Sequence, residues 1–90
     1  MDHSTFATAC KHDGYGDVEE KSGPADFTSK PHTHPFAVRG LVVSGEFRLT
    51  RDGQTEVFHP GATFAMEANC EHAESFGPHG ASYLVARKHA

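Results

Sequence analysis

The stretch Pro31-His32-Thr33-His34-Pro35 has the residue types and the spacing that metal chemistry needs. Two histidines separated by one residue lie on the same face of an extended strand, because side chains alternate with a period of two. Imidazole is the commonest protein metal ligand near neutral pH and suits Zn, Ni, Fe or Cu. A proline on each side restricts the backbone and withholds a sheet donor, which indicates a strand edge or the mouth of a barrel.

His72 is the third histidine of interest, because it follows the first two after a series of short apolar segments broken by glycine and proline. Such segments are typical of strands that fold back on one another. We therefore expect the fold to return His72 to His32 and His34, so that three imidazoles face one point. The alternative is that these side chains are solvated at the mouth of a barrel that holds no metal.

Length and charge restrict what the chain can be. Its 90 residues suffice for a single domain, and domains of this size often gain stability by oligomerising or by holding a metal. The formal net charge of -4 argues against a nucleic-acid partner, which needs a clustered basic face. No apolar run suits a membrane span and no signal peptide is visible, so we expect a cytoplasmic protein. Two cysteines are too few for a disulfide framework.

The elements that must position the histidines are predicted to be strands. Segments rich in strand formers alternate with turn signals and lack helical periodicity, which indicates an all-β sandwich or barrel. The clearest turn is Asp52-Gly53, the strongest short hairpin signal in the chain. Residues 1–14 are predicted to be a short strand or an arm, and residues 18–22 an edge strand. The other predicted strands are residues 36–43, 46–50, 54–59, 63–66, 72–76 and 81–87.

Two sequence motifs of the cupin superfamily resemble the pattern His32-Thr33-His34, Gly45, Pro60-Gly61, His72. The first motif runs His, any residue, His, a spacer, Glu, a longer spacer and Gly. The second runs Pro-Gly, a short strand, a turn that usually contains glycine, and His. Asn69 stands where that turn glycine usually sits.

The resemblance implies a double-stranded β-helix, or jelly-roll, barrel and covers most of the chain. We expect a single domain over residues 1–90, with an N-terminal arm and edge strands in residues 1–29 and the barrel core in residues 30–87. The resemblance also implies a homodimer, because small cupins commonly pair edge strands or pack sheet faces, and pairing removes an exposed edge.

The family's metal shell implies three histidines and one glutamate, and this sequence lacks the glutamate. His32, His34 and His72 match the histidines of the motifs. The first-motif glutamate should fall at Val38 or Arg39, and neither side chain can serve as that carboxylate. The metal implied is a divalent transition metal, Zn, Ni, Fe or Mn.

Strand parity suggests a replacement for the missing carboxylate. If the strand is regular, residues 70, 72 and 74 share one face, so Glu74 points into the barrel beside His72. Glu74 could then complete the shell, orient an imidazole, or act as a general base. Cys70 would also reach inward, and a thiolate is a strong ligand for Zn or Fe. Because a bulge at the turn would reverse this parity, the choice between Glu74 and Cys70 stays open.

The expected substrate pocket contains Arg39, Phe36, Cys70 and Tyr83, of which Arg39 could hold an anionic substrate bidentately. The expected ligand is a small molecule.

One hypothesis is that the protein is an enzyme, a metal-dependent oxygenase, isomerase or lyase in which Glu74 accepts and returns protons. A second hypothesis is a non-catalytic module that binds a ligand or metal as a sensor or store. A third is a degenerate barrel that acts only through its dimer surface. Fold alone does not choose among them.

Overall fold

The computed structural model describes residues 1–89 as one helix followed by five strands. In chain order these are α1 (His3–His12), β1 (Glu19–Gly23), β2 (Phe36–Arg51), β3 (Gln54–Phe58), β4 (Thr63–Met66) and β5 (Ala73–His89). All strand pairings are antiparallel, and the strand order is β1-β5-β2-β3, with β4 also paired to β2. No helix in this part of the chain is long and apolar enough to cross a membrane.

The two long strands, β2 and β5, pair along nearly their whole length and carry the other three strands. β4 pairs with the first half of β2 and β3 with the second half, while β1 pairs with β5. The register between β2 and β5 shifts near Gly45. Its φ is +74°, a value that glycine adopts with little strain. A Cβ at Gly45 would collide with the carbonyl oxygen of Gly80. The bulge therefore bends the sheet at a point where two backbones touch.

This bulge explains why the predicted strand count was wrong. The segments predicted as 36–43 and 46–50 are one strand, β2, which bends at Ser44-Gly45 without ending there. Likewise the segments predicted as 72–76 and 81–87 are joined in β5, across Gly77, Pro78 and Gly80. The Asp52-Gly53 hairpin is confirmed, since both residues have the positive φ that such a tight turn needs.

The N-terminal prediction was also wrong, because residues 3–12 form a helix instead of a strand or an arm. Asp2 caps the helix by accepting a hydrogen bond of 2.8 Å from the backbone N–H of Thr5. Phe6 and Cys10, one helical turn apart, are the buried residues of the helix. An apolar face of only two residues gives little helical periodicity, so its packing against the sheet, not its pattern, stabilises the helix.

Side-chain alternation along β2 and β5 divides the sheet into two faces. One face, called here the helix face, packs Leu41, Leu84 and Ala86 against Phe6 and Cys10 of α1. The other, called the cavity face, holds the larger part of the core, and its buried residues are Val38, Val42, Phe47, Leu49, Phe64, Met66, Phe76, Ala81 and Val85. The functional candidates lie beside this second face.

Candidate metal centre

His32 and His72 are placed opposite each other by a backbone bridge. The N–H of His32 donates to the carbonyl of His72 at 2.9 Å, and the N–H of His72 donates back at 3.0 Å. Because residues paired across neighbouring strands project to the same side, the two rings lie next to each other with centroids 4.4 Å apart. A local antiparallel pairing therefore joins histidines from the two halves of the chain.

His34 joins the pair through the period of two that the sequence indicates. Its ring centroid lies 5.6 Å from that of His32 and 4.8 Å from that of His72. One ligand nitrogen from each of the three rings lies within 4.8 Å of the others. The expected convergence of three imidazoles is confirmed, and they form a cluster that could hold a metal ion.

Backbone carbonyls hold two of the imidazoles in the tautomer that suits a metal ligand. Nδ1 of His32 lies 2.7 Å from the carbonyl oxygen of Lys30, and Nδ1 of His72 lies 2.9 Å from that of Cys70. A carbonyl oxygen only accepts, so in each pair Nδ1 carries the proton and donates it. The lone pair of the neutral ring is then on Nε2, free to bind an ion.

Nε2 of His72 is the atom that tests whether a metal fits. The His72 residue is 1% exposed, and Nε2 is buried without a hydrogen-bond partner in the part of the chain that the structure describes. Leaving a buried polar atom unpaired costs about 1–3 kcal/mol. A cation bound to the three imidazoles would satisfy this atom, so the residues present fit a divalent metal.

The environment of His34 keeps its ring neutral. Burial lowers the pKa of His34 below its usual value, and positive charge on His72 and on His32 would lower it further. The neutral imidazole is the form that binds a metal. His34 therefore keeps a lone pair available near neutral pH.

Glu74 lies beside the histidines, on the side that strand parity predicted. Its Oε1 is 3.6 Å from Nε2 of His72, too long for a hydrogen bond, and its side chain is 23% exposed. Its backbone N–H donates to Oγ of Ser29 at 2.8 Å, which fixes the start of β5 against the segment that leads to His32. Glu74 is the carboxylate that the structure brings to the cluster.

His32 and His34 border a cavity of about 210 Å³. Phe36 and Tyr83, two of the expected pocket residues, line it, together with Phe47 and Phe64, whose rings stack 4.3 Å apart. Burial, and secondarily the charge of Glu74, raises the pKa of Tyr83, so its hydroxyl stays protonated at neutral pH. The cavity thus combines apolar walls with one carboxylate and one hydroxyl donor.

Arg39 and Cys70, the other two expected pocket residues, are not brought to this cavity. Arg39 follows the cavity-lining Val38 by one residue and so points to the helix face, where it donates to Asp13 at 2.6 Å. Cys70 lies after the turn at Asn69 and before β5, which begins at Ala73, so strand alternation does not extend to it. Arg39 and Cys70 both border a separate surface groove.

Val38 is one of the two positions at which the glutamate of the cupin motif is expected. It is buried and lines the cavity, so the wall there is apolar. Two basic residues, Lys21 and Arg87, line the same cavity and were missed by the sequence reasoning. The signal that could have found Arg87 is the alternation Tyr83, Val85, Arg87 along one face of the last strand.

The comparison with family models finds the cupin domain over residues 18–76, which is most of the chain. The chain belongs to the cupin family. Cupins commonly bind a divalent metal, and His32, His34 and His72 form the cluster that could hold one here. No protein of curated function matches the sequence significantly.

Several solved structures share the fold. An RmlC-like cupin from Shewanella frigidimarina is 22% identical over 82% of this chain and 66% of its own, with a TM-score of 0.71. The polyketide cyclase RemF from Streptomyces resistomycificus is 22% identical over 81% of this chain and 54% of its own, with a TM-score of 0.72. A structure described as DMSP lyases RdDddP and RnDddQII is 24% identical over 82% and 38%, with a TM-score of 0.74. The predicted jelly-roll cupin fold is confirmed, and this chain spans less than two thirds of each structure's length.

Proposed function

We propose that this cupin holds a divalent transition metal on His32, His34 and His72 and acts on a small molecule in the adjoining cavity. The observation that carries the proposal is Nε2 of His72, buried and unpaired among the described residues, with its Nδ1 already donating to a carbonyl. Two further imidazoles face the same point. A buried nitrogen arranged in this way is costly without a ligand and well placed with one.

The proposed roles follow from the side chains around the cluster. A bound metal would supply Lewis acidity to an oxygen atom of the substrate. Glu74, beside His72 and open to the cavity, is the proposed group that accepts or returns a proton. Tyr83 keeps its hydroxyl proton and can donate a hydrogen bond to the substrate. The rings of Phe36, Phe47 and Phe64 limit the water around these groups.

We propose Zn, Ni, Fe or Mn as the metal and an oxygenase, isomerase or lyase as the kind of enzyme. Imidazole nitrogen and carboxylate oxygen suit all four metals, and selectivity depends on geometry and availability more than on ligand identity. The structural neighbours described as a polyketide cyclase and as DMSP lyases support the proposal only in showing that this fold hosts enzymes on small molecules.

The metal proposal is tested by elemental analysis of the protein as purified and by calorimetric titration of the chelator-treated protein with Zn²⁺. We expect one ion per chain, and large losses of affinity in His34→Gln and His72→Gln. The matched control is His59→Gln, which removes an exposed imidazole that is not part of the cluster. Circular dichroism of each variant shows that it is folded. A wild-type protein that takes up no ion would remove the proposal.

The alternative is a module that binds a metal or ligand without turnover, and the apolar Val38 favours it. With no glutamate at Val38 or Arg39, the proposed shell has three imidazoles and a carboxylate that lies 3.6 Å from a ligand nitrogen. The two functions separate in a screen of the metal-loaded protein against small oxygen-bearing molecules. Product formation that is lost in Glu74→Gln supports the enzyme, and saturable binding without product supports the module.

We also propose a homodimer that pairs at an edge of the sheet. β1 and β3 are the end strands of the sheet order, and Val57 on β3 is 48% exposed. An open edge with an exposed apolar side chain favours pairing with a second copy. Light scattering after size exclusion measures the mass in solution. Val57→Lys should shift a dimer toward monomer, and a wild-type monomer at high concentration would contradict the proposal.

A further inference from the structure

Two basic side chains line the cavity and have no role in the proposed metal chemistry. β1 runs beside β5 with Lys21 opposite Tyr83, so the two side chains project to the same side of the sheet. Arg87 lies four residues after Tyr83 along β5 and shares that side by alternation. Both line the cavity that His32 and His34 border. Two separate strands therefore present a cation to one small space.

Neither cation is strongly neutralised by the protein. Arg87 lies 3.6 Å from Glu19, but these side chains are 36% and 57% exposed, and such surface pairs contribute little. The guanidinium also lies 5.2 Å from the ring centroid of Phe36, which holds it toward the cavity. For Lys21, no carboxylate of residues 1–89 lies within ion-pairing distance. Both charges remain available to a ligand.

The charge of the cavity is opposite to that of the whole chain. The chain has a formal net charge of -4, whereas the charged lining of the cavity is Lys21 and Arg87 against Glu74 alone. A divalent ion on the histidines would add two positive charges to the same space. A cleft with one sign of charge and apolar walls raises the local concentration of ligands of the opposite sign.

The size of the cavity limits the ligand. Its volume of about 210 Å³ is below the range of about 300–1,000 Å³ that is typical of sites for drug-sized molecules. We propose that the ligand is a small organic carboxylate, bound by Lys21 and Arg87 through its anionic group while a second oxygen faces the three histidines. This inference rests on the proposed function for the ligand oxygen that faces the metal, and on the two cations for the ligand's negative charge. Arginine can bind a carboxylate bidentately, which would fix the ligand's orientation as well as its charge.

The test compares malonate with malonamide, which has nearly the same size and no charge. Each probe is titrated into Co²⁺-loaded protein, with the visible spectrum of the ion as readout, and into metal-free protein, with backbone amide shifts as readout. We expect malonate to bind and malonamide to bind at least tenfold more weakly. Lys21→Gln and Arg87→Gln should each weaken malonate binding about tenfold, while Lys21→Arg should restore it. The matched control is Lys11→Gln, which removes an exposed cation of α1 outside the cavity.

The outcomes separate this inference from the metal proposal. If Co²⁺ binds but malonate and malonamide behave alike, the inference about the ligand is overturned and the metal proposal stands. If no metal binds but metal-free protein prefers malonate in a Lys21-dependent way, only the metal proposal fails. If neither occurs, both are wrong. Equal weakening by Lys11→Gln would show an effect of net charge and would also overturn the inference.

Discussion

The two faces of the β2–β5 pair differ in how completely their polar groups are satisfied. On the helix face, Arg39 donates to Asp13 at 2.6 Å and lies 4.6 Å from the ring centroid of Tyr15. On the cavity face, Nε2 of His72 is buried without a partner among residues 1–89, and Lys21 has no ion pair there. The helix face is therefore complete, whereas the cavity side holds one buried nitrogen that a ligand would satisfy. Substitutions on the two faces should accordingly affect different properties.

The largest effect should come from the cavity face and should appear in metal binding, not in stability. His72→Leu removes the buried ligand nitrogen, so metal affinity should fall by more than the 10–100-fold that is typical of losing an outer-shell partner. The metal-free protein should keep its stability within about 1 kcal/mol, because the lost hydrogen bond to Cys70 and the removed unpaired nitrogen act in opposite directions. Zinc titration and urea unfolding measure the two quantities. A metal affinity equal to that of the wild type would show that the cavity face does not depend on His72 for metal binding.

On the helix face, we expect substitutions to lower stability and to leave metal affinity nearly unchanged. Leu84 is 1% exposed and packs against the helix, so Leu84→Ala should lower the free energy of unfolding by about 2–5 kcal/mol. Urea unfolding of the chelator-treated protein measures this loss. Zinc affinity of the folded variant should stay within about twofold, because Leu84 points away from the histidines. A Leu84→Ala protein that loses metal affinity as strongly as His72→Leu would show that the two faces are not independent.

His34 should also give the metal-free protein a pH dependence near neutrality. The pKa of His34 is lowered in the folded state, so between that value and the ordinary pKa of about 6.5 the unfolded state binds more protons. This contribution to stability is complete above about pH 6.5 and is lost as the pH falls through the folded pKa. Urea unfolding between pH 8 and pH 5 measures it, and the slope should flatten in His34→Gln. An imidazole shift of His34 that titrates above 6.5 would refute the assignment.

The smallest effect should be that of the ion pair between helix α1 and the sheet. The hydrogen bond from Arg39 lowers the pKa of Asp13, so this carboxylate contributes stability above its ordinary pKa and loses it as the pH falls through the lowered value. Asp13→Asn should cost little at pH 7 and should remove part of the acid dependence below pH 4. Because the pair is exposed, added salt should weaken its contribution. Thermal unfolding at several pH values checks this, with Asp17→Asn as the control for a more exposed acid that pairs with Lys11 instead of Arg39.

The residues that could be predicted from sequence are those whose position follows from local rules. His32 and His34 follow from alternation, and the Asp52-Gly53 turn follows from the need for positive φ. Glu74 followed from parity with His72, which the structure keeps over those two residues. The return of His72 follows from no local rule; it was expected from the series of short strands and then from the family resemblance.

The sequence predictions failed at residues whose position is determined by tertiary contacts. Arg39 differs from Val38 by one step of alternation, and only the presence of α1 beneath it shows which face is the cavity. Helix α1 itself has two buried residues, too few to give a clear period. Cys70 was assigned to the cavity on a regular strand, but β5 begins only at Ala73 and residue 70 lies outside it. Lys21 could not be placed without the register of β1 against β5.

The backbone bridge between His32 and His72 links two parts of the chain that are otherwise joined by few contacts. The segment before β2 follows β5 through a few hydrogen bonds, from Asp26 to Gly77, from Phe76 to Phe27 and in both directions between Ser29 and Glu74. An ion shared by His32 and His72 would act as a cross-link that closes the intervening loop. Loss of the ion would then free this segment to peel from the sheet and become a site for proteases. Metal supply would in that case set how long the protein persists.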